Sequence, residues 1–137
     1  MTLHLIGVDK MFVNKNSIVI NGFNMGNYLV EAKFQYNKLW ASDSGRNLAG
    51  VMSGTLVGIF PKLILSFRKL TKSELEAIAP ILDSTTQTVS YYDANKKAQT
   101  TMTTYTGDWE TVNKHIISGN SKNEGFDISF IAVSKRV

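Results

Sequence analysis

A mainly β domain of the α+β class, an antiparallel β-sandwich or barrel with one flanking helix, is the fold this chain predicts, and three stretches predict it. From Tyr28 to Trp40, the residues Tyr28, Val30, Ala32, Phe34, Tyr36 and Trp40 share one parity, while Glu31, Lys33, Gln35 and Asn37 share the other. That period of two describes a strand with one packed face and one wet face. Val51 to Phe67 is a second long extended segment. Between Thr71 and Leu82 the apolar spacing becomes helical, once only. Many strands, short turns and no alternation of strand with helix argue for antiparallel pairing.

Taken in order, Met11–Val13 and Ser17–Ile20 are short apolar runs around the polar triplet Asn14–Asn16, which reads as a hairpin. Asn21–Gly26 reads as a loop with two glycines. The strand that follows would be about 40 Å long at ~3.3 Å per residue. Ala41–Gly50 is polar and aperiodic, an exposed loop. Within Val51–Phe67, Gly54, Gly58 and Pro61 mark bulges, an edge or a close backbone approach. Thr71 and Glu74 form a capping-box pattern, and Leu70 and Leu75 occupy the staple positions. Leu75, Ile78, Ala79 and Leu82 continue the stripe of a helix over about 72–82, with Pro80 expected to kink or shorten its last turn. Gln87–Tyr92 and Gln99–Tyr105 read as a hairpin joined by Asp93–Lys97. Gly107–Trp109 ends this unit, and Thr111–Ile117 fits a strand or a short helix. Ser118–Gly125 is a loop, and Phe126–Val133 is a last strand with Phe126, Ile128, Phe130 and Ala132 on one face.

The 137 residues make a single domain, 1–137, large enough to hold a core without staples. Cysteine is absent, which removes disulfides, thiolate metal sites and a cysteine nucleophile. The two histidines, His4 and His115, are too few for a zinc site of their own. No nucleophile elbow, phosphate loop or calcium loop occurs, so the expectation is no enzyme, no cofactor and no metal. A net charge of +4 is far below that of a dedicated nucleic-acid arm. The N-terminus lacks the pattern of a leader, and no run approaches the ~20 apolar residues of a membrane span. Cytoplasmic synthesis with no membrane anchor is the resulting expectation.

A barrel that binds single-stranded nucleic acid is the alternative of a different class. Such barrels stack bases on aromatics set among basic residues. Here Tyr28, Phe34, Tyr36 and Trp40 share a parity with only Lys38, so core packing accounts for them better. The more telling feature is length. A domain of this size is about 30–35 Å across, so a hairpin spanning 26–67 projects beyond its own core unless bent. Projecting strands expose backbone groups that can pair with another chain.

The run Trp40-Ala-Ser-Asp-Ser-Gly-Arg-Asn-Leu-Ala-Gly-Val-Met52, the apolar strand ending Leu63–Phe67, the helix opening Leu70-Thr-Lys-Ser-Glu-Leu75, and the strands Val89-Ser-Tyr-Tyr-Asp93 and Tyr105–Asp108 together resemble small structural proteins of long-tailed bacteriophages. The resemblance covers roughly residues 28–109. It implies a tail-tube-like fold, a β-sandwich with one flanking helix, and a virion protein of the tail assembled in the host cytoplasm. It implies a ring homo-oligomer, commonly of six subunits, around a channel that DNA passes through as cargo. Its neighbours would be tube, hub and tape-measure proteins, with a distal-tail or baseplate position favoured over a tube or neck-completion ring. Asp43, Ser44, Gly45, Arg46, Asn47 and Met52 are then candidates for the subunit interface, with Arg46 placed for a charge-assisted contact. Asp43-Ser44-Gly45-Arg46 also brings a carboxylate, a hydroxyl and a guanidinium together, which reads as a loop stabilised by an Asp turn and an arginine–carboxylate contact and not as a catalytic group.

Overall fold

The computed structural model describes residues 16–41, 45–46, 50, 52–117, 119 and 122–136. Seven strands form one antiparallel sheet: β1 (Val19–Ile20), β2 (Phe23–Asn24), β3 (Leu29–Trp40), β6 (Leu56–Phe67), β7 (Gln87–Asp93), β8 (Ala98–Thr106) and β11 (Asp127–Ala132). Their spatial order is β2-β1-β7-β8-β11-β6-β3. Two short ribbons complete the described strands. One pairs β4 (Gly45–Arg46) with β5 (Met52–Ser53), the other β9 (Asn113–Lys114) with β10 (Lys122–Asn123). The mainly β, antiparallel class with one flanking helix is as expected. Closure into a sandwich or barrel is not: the sheet is open, with β2 and β3 at its edges.

The sheet holds its core on one face. Alternate residues of β6, β7 and β11 (Leu63, Leu65, Phe67; Val89, Tyr91; Ile128, Phe130) are buried there with Ile18, Ile20 and Met25. Ile78 and Leu82 of α1 (Lys72–Asp83) cover them. Polar bonds fix the helix to this face. Buried Gln87 donates from its amide nitrogen to the carbonyls of Ile81 and Ser84 at 3.1 and 2.9 Å, and Thr106 donates to the Leu82 carbonyl at 3.2 Å. Gln87 therefore serves the Ser84 carbonyl and adds a second donor to the Ile81 carbonyl, which also accepts the Ser84 N–H at 3.3 Å.

The helix starts as its sequence predicts. The Thr71 hydroxyl accepts from the Glu74 N–H at 3.3 Å, and the Glu74 carboxylate accepts from the Thr71 N–H at 2.9 Å. Leu70 and Leu75 both join the core. Pro80 does not shorten the last turn. The helix runs on to Asp83, and the Glu76 carbonyl that loses its donor belongs to an exposed residue that water can serve.

One segment expected as a loop is more ordered than that. Asn21 and Gly22 both have positive φ, 51° and 80°, and join β1 to β2 as a two-residue hairpin. Asn-Gly is the pair that such a turn favours. The hairpin that had been expected between 11–13 and 17–20 falls in part outside the described residues. Asn113–Lys114 resolves the ambiguous 111–117 stretch as a two-residue strand within loops.

Arg68 closes the lower end of the molecule. It forms a bidentate pair with Glu74 at 3.1 and 2.8 Å, donates to the carbonyls of Asn27 and Lys69, and lies over the Tyr28 ring at 5.3 Å. The Arg68 guanidinium, and then the Thr71 N–H, hold the Glu74 carboxyl down at about 2. A depressed carboxyl stabilises the folded chain fully above its unfolded value, near 4.5, and loses that effect as pH falls towards 2. Acid titration of the melting temperature should therefore show Glu74→Gln less stable than the parent at pH 6, with the two curves meeting near pH 2.

Candidate subunit interface

The expected long hairpin is present. β3 and β6 pair antiparallel from Leu29↔Phe67 to Trp40↔Leu56, with irregularities at Leu29/Glu31 and Leu39/Trp40. The Ala41 N–H continues the ladder to the Thr55 carbonyl at 2.8 Å, and Gly45↔Ser53 and Arg46↔Met52 extend it. The two strands thus satisfy each other along their shared edge. Among the described residues no strand pairs with the outer edge of β3, twelve residues long.

The other edge of the ribbon is covered only in part. β11 pairs with β6 from Ser66 to Lys62, and Pro61 comes next. Proline has no N–H to give a neighbour, which suits the point where β6 becomes an edge. Beyond it, the Arg136 N–H reaches the Ile59 carbonyl at 2.7 Å. Six residues, Leu56–Pro61, extend past β11, about 20 Å at ~3.3 Å each. This is a projecting arm, and its flesh is apolar: Leu39, Trp40, Leu56 and Val57 are 50, 41, 41 and 44% exposed.

The parity argument holds from Ala32 to Tyr36 and fails at both ends: at the Leu29/Glu31 irregularity Val30 turns outward, 72% exposed, while Leu29 packs on the core, and at the tip no core is left. Tyr28, Ala32 and Phe34 pack against the core, and Phe34 stacks on Tyr91 at 6.1 Å between centroids. Trp40 shares their parity but lies beyond the body, where no core remains to cover it.

Of the interface candidates read from the sequence, Gly45, Arg46 and Met52 fall in the two-stranded tip of the arm, Gly45 and Arg46 opposite Ser53 and Met52. Asp43, Ser44 and Asn47 lie outside the described residues. The apolar residues Leu39, Trp40, Leu56 and Val57 were not singled out. Their signal was a strand pattern running on past the length that a domain of this size can bury.

A second arginine, also missed, ties the arm to the body. Arg136 donates to both carboxylate oxygens of fully buried Asp93 at 3.3 and 3.1 Å and lies over the Tyr36 ring at 5.6 Å. Asp93 also accepts the N–H groups of Asn95 and Lys96 and the Tyr91 hydroxyl. Burial works against its charge, but the Lys96 N–H, the Arg136 guanidinium and the Asn95 N–H outweigh it and hold the carboxyl below its usual range. Burial, and then the Asp93 charge, push the Tyr91 hydroxyl up. Asp93 and Arg136 are 43 residues apart, so no local pattern announces the pair.

Among the described residues no three His, Asp or Glu side chains converge as metal ligands. His115 sits on an exposed loop at φ 65°. Among the same residues no helix is long and apolar enough to cross a membrane.

No protein-family model matches this chain, and no curated protein matches it. A solved structure of the Dit protein of phage SPP1, described as a paradigm of the hub adsorption apparatus in phages that infect Gram-positive hosts, aligns at TM-score 0.39 and 13% identity. The alignment covers 86% of this chain and 49% of that one, so the chain spans about half the length of that protein.

Proposed function

We propose that this chain is a non-enzymatic structural subunit of a bacteriophage tail, a distal-tail or baseplate ring protein that joins tube to tip around the DNA channel. The observation that carries this reading is the arm: an apolar tip held about 20 Å beyond the nearest described supporting strand, with a twelve-residue edge along one side that no described strand pairs. A long uncovered edge is a template for pairing with another chain, and isolated proteins commonly blunt it. The sequence resemblance over residues 28–109 supplies the virion context.

In this reading each subunit lays its arm on the next, and a heterologous contact repeated by rotation closes a ring. Burying the tip supplies association energy at about 25 cal/mol per Å2, reduced by the cost of ordering two surfaces. Arg46, at the arm's end, takes an acidic partner on the neighbour. Six copies, tube, hub and tape-measure neighbours, and passage of DNA as cargo complete the picture. The nucleic-acid-binding alternative loses its platform, because Phe34 and Tyr28 face the core.

The test is Trp40→Lys combined with Leu56→Lys, with Arg46→Ala made separately. Trp40 and Leu56 are cross-strand partners outside the core, so the monomer should lose only about 0.2–1 kcal/mol. Negative-stain images of the double variant should show no rings where the parent forms them, and Arg46→Ala should form fewer. Rings of normal yield from the double variant would refute the arm as the contact.

A further inference from the structure

Two surface features at opposite ends of the sheet carry opposite charge. At the upper end, the β7–β8 hairpin closes in the exposed turn Ala94–Lys97, with Lys97 at φ 56°. Lys96 and Lys97 crown this turn, and Lys135 and Arg136 stand beside it at the close of the chain. From Gln87 to Thr106 and from Ile131 to Arg136 there is one acid, Asp93, and it is buried and paired with Arg136. The turn is therefore a convex, basic knob.

At the lower end, the segments after β8 and before β11 flank an open cleft of about 580 Å3 lined by Asp108, Trp109, Glu110, Val112, Phe126 and Asp127, with Gly125 at its wall. Residues 107–112 and 124–127 contain four acids and no base. Of these, Glu124 meets Lys69 at 3.6 Å. Asp83 adds a further carboxylate, which accepts the Trp109 indole N–H at 3.0 Å. Lys114 follows on β9 and does not line the cleft. Trp109 and Phe126 lie 5.8 Å apart, centroid to centroid, and give the socket aromatic walls. Such walls suit a lysine, whose methylene stem packs on rings while its ammonium meets carboxylates or a ring face.

Knob and socket cannot meet within one molecule. β11 runs from Asp127 at the socket to Ala132, next to the segment that flanks the knob, a span of about 20 Å. We propose that one copy of this chain seats its Lys96–Lys97 turn in the Asp108–Trp109–Glu110–Asp127 socket of a second copy, so that copies join head to tail. The contact goes beyond the arm-to-neighbour ring and does not use the arm. Because knob and socket are different surfaces, the contact is heterologous and propagates until another protein caps it.

Charge reversal tests this with the full chain in sedimentation velocity. At about 0.01 M ionic strength, where screening extends over ~30 Å, the parent should self-associate, and association should fade towards 1 M. K96E/K97E should weaken it about tenfold or more, as should E110K/D127K, because each places like charges in contact. An equimolar mixture of the two variants should restore it, since each then offers the other its complement. Trp40→Lys with Leu56→Lys should leave it unchanged, which separates this contact from the ring. Failure of the mixture to restore association would overturn the proposal. So would a parent that stays monomeric at low salt but binds a DNA oligonucleotide through the knob, which would make nucleic acid the partner instead.

Discussion

Gly125→Ala should cost about 3 kcal/mol, near the upper end for overpacking a close-packed site, and is expected to be among the most damaging single-methyl additions in the chain. A Cβ at 125 would fall inside contact distance of the Phe67 carbonyl oxygen, and within 3.2 and 3.3 Å of the carbonyl carbons of Phe67 and Arg68. These are backbone atoms that cannot swing aside. Their neighbours are also committed: the Phe67 N–H bonds the Phe126 carbonyl at 2.8 Å, and the two rings stack at 4.9 Å. Relief must come from pulling the entry to β11 away from β6, which opens the core at Phe67. Urea unfolding measures the effect. A change under about 0.5 kcal/mol, the usual size for a surface substitution, would mean that the two backbones do not approach as described.

Arg136→Ala is the second large effect, about 3 kcal/mol, at the lower end of the cost of stranding one member of a buried ion pair. It leaves Asp93 fully buried without its cation. It also removes the guanidinium from over Tyr36, so the middle of the arm loses its tie to the β7–β8 turn. The pH dependence has a definite sign. Asp93 is held low in the folded chain, so the pair's contribution is complete at neutral pH and lost as acid protonates the carboxyl. The gap between parent and variant should therefore narrow in acid. Gly58 offers a second handle on the same strap, because a Cβ there would crowd the Lys135 side chain from its Cβ outwards. Gly58→Ala should displace Lys135 and loosen Arg136 without touching either charge.

Local chemistry was legible in the residues. The capping box at Thr71–Glu74, the helical stripe to Leu82 and the alternation from Ala32 to Tyr36 each arise from interactions between near neighbours, and each is in place, while the irregularity at Leu29/Glu31 breaks the same alternation at Val30. So is the hairpin through Asp93–Lys97, where the Asp93 carboxylate gathers the turn's N–H groups. The Asn21–Gly22 turn was equally legible in its dipeptide, although the two glycines of that segment, four residues apart, read as a longer loop. What composition and period could not supply was the number of layers. Apolar alternation describes a strand with one covered face and is silent on whether a helix or a second sheet does the covering. Here α1 and the segment around Met25 do it, so one sheet suffices. Nor could the sequence show that β3 and β6 would satisfy each other. The expectation that residues 26–67 depend on a sister molecule narrows to the outer edge of β3 and the exposed tip.

That outer edge is also where the account stands most open to refutation. Amide hydrogen exchange across β3, measured on the free chain and on assembled particles, tests it directly. β6 protects only the N–H groups on its own side of β3, so the free chain should show alternate amides between Glu31 and Trp40 exchanging fast. In the assembled state those same amides should slow. Uniform slow exchange along β3 in a chain that sediments as a monomer would contradict the claim that a second molecule completes the arm.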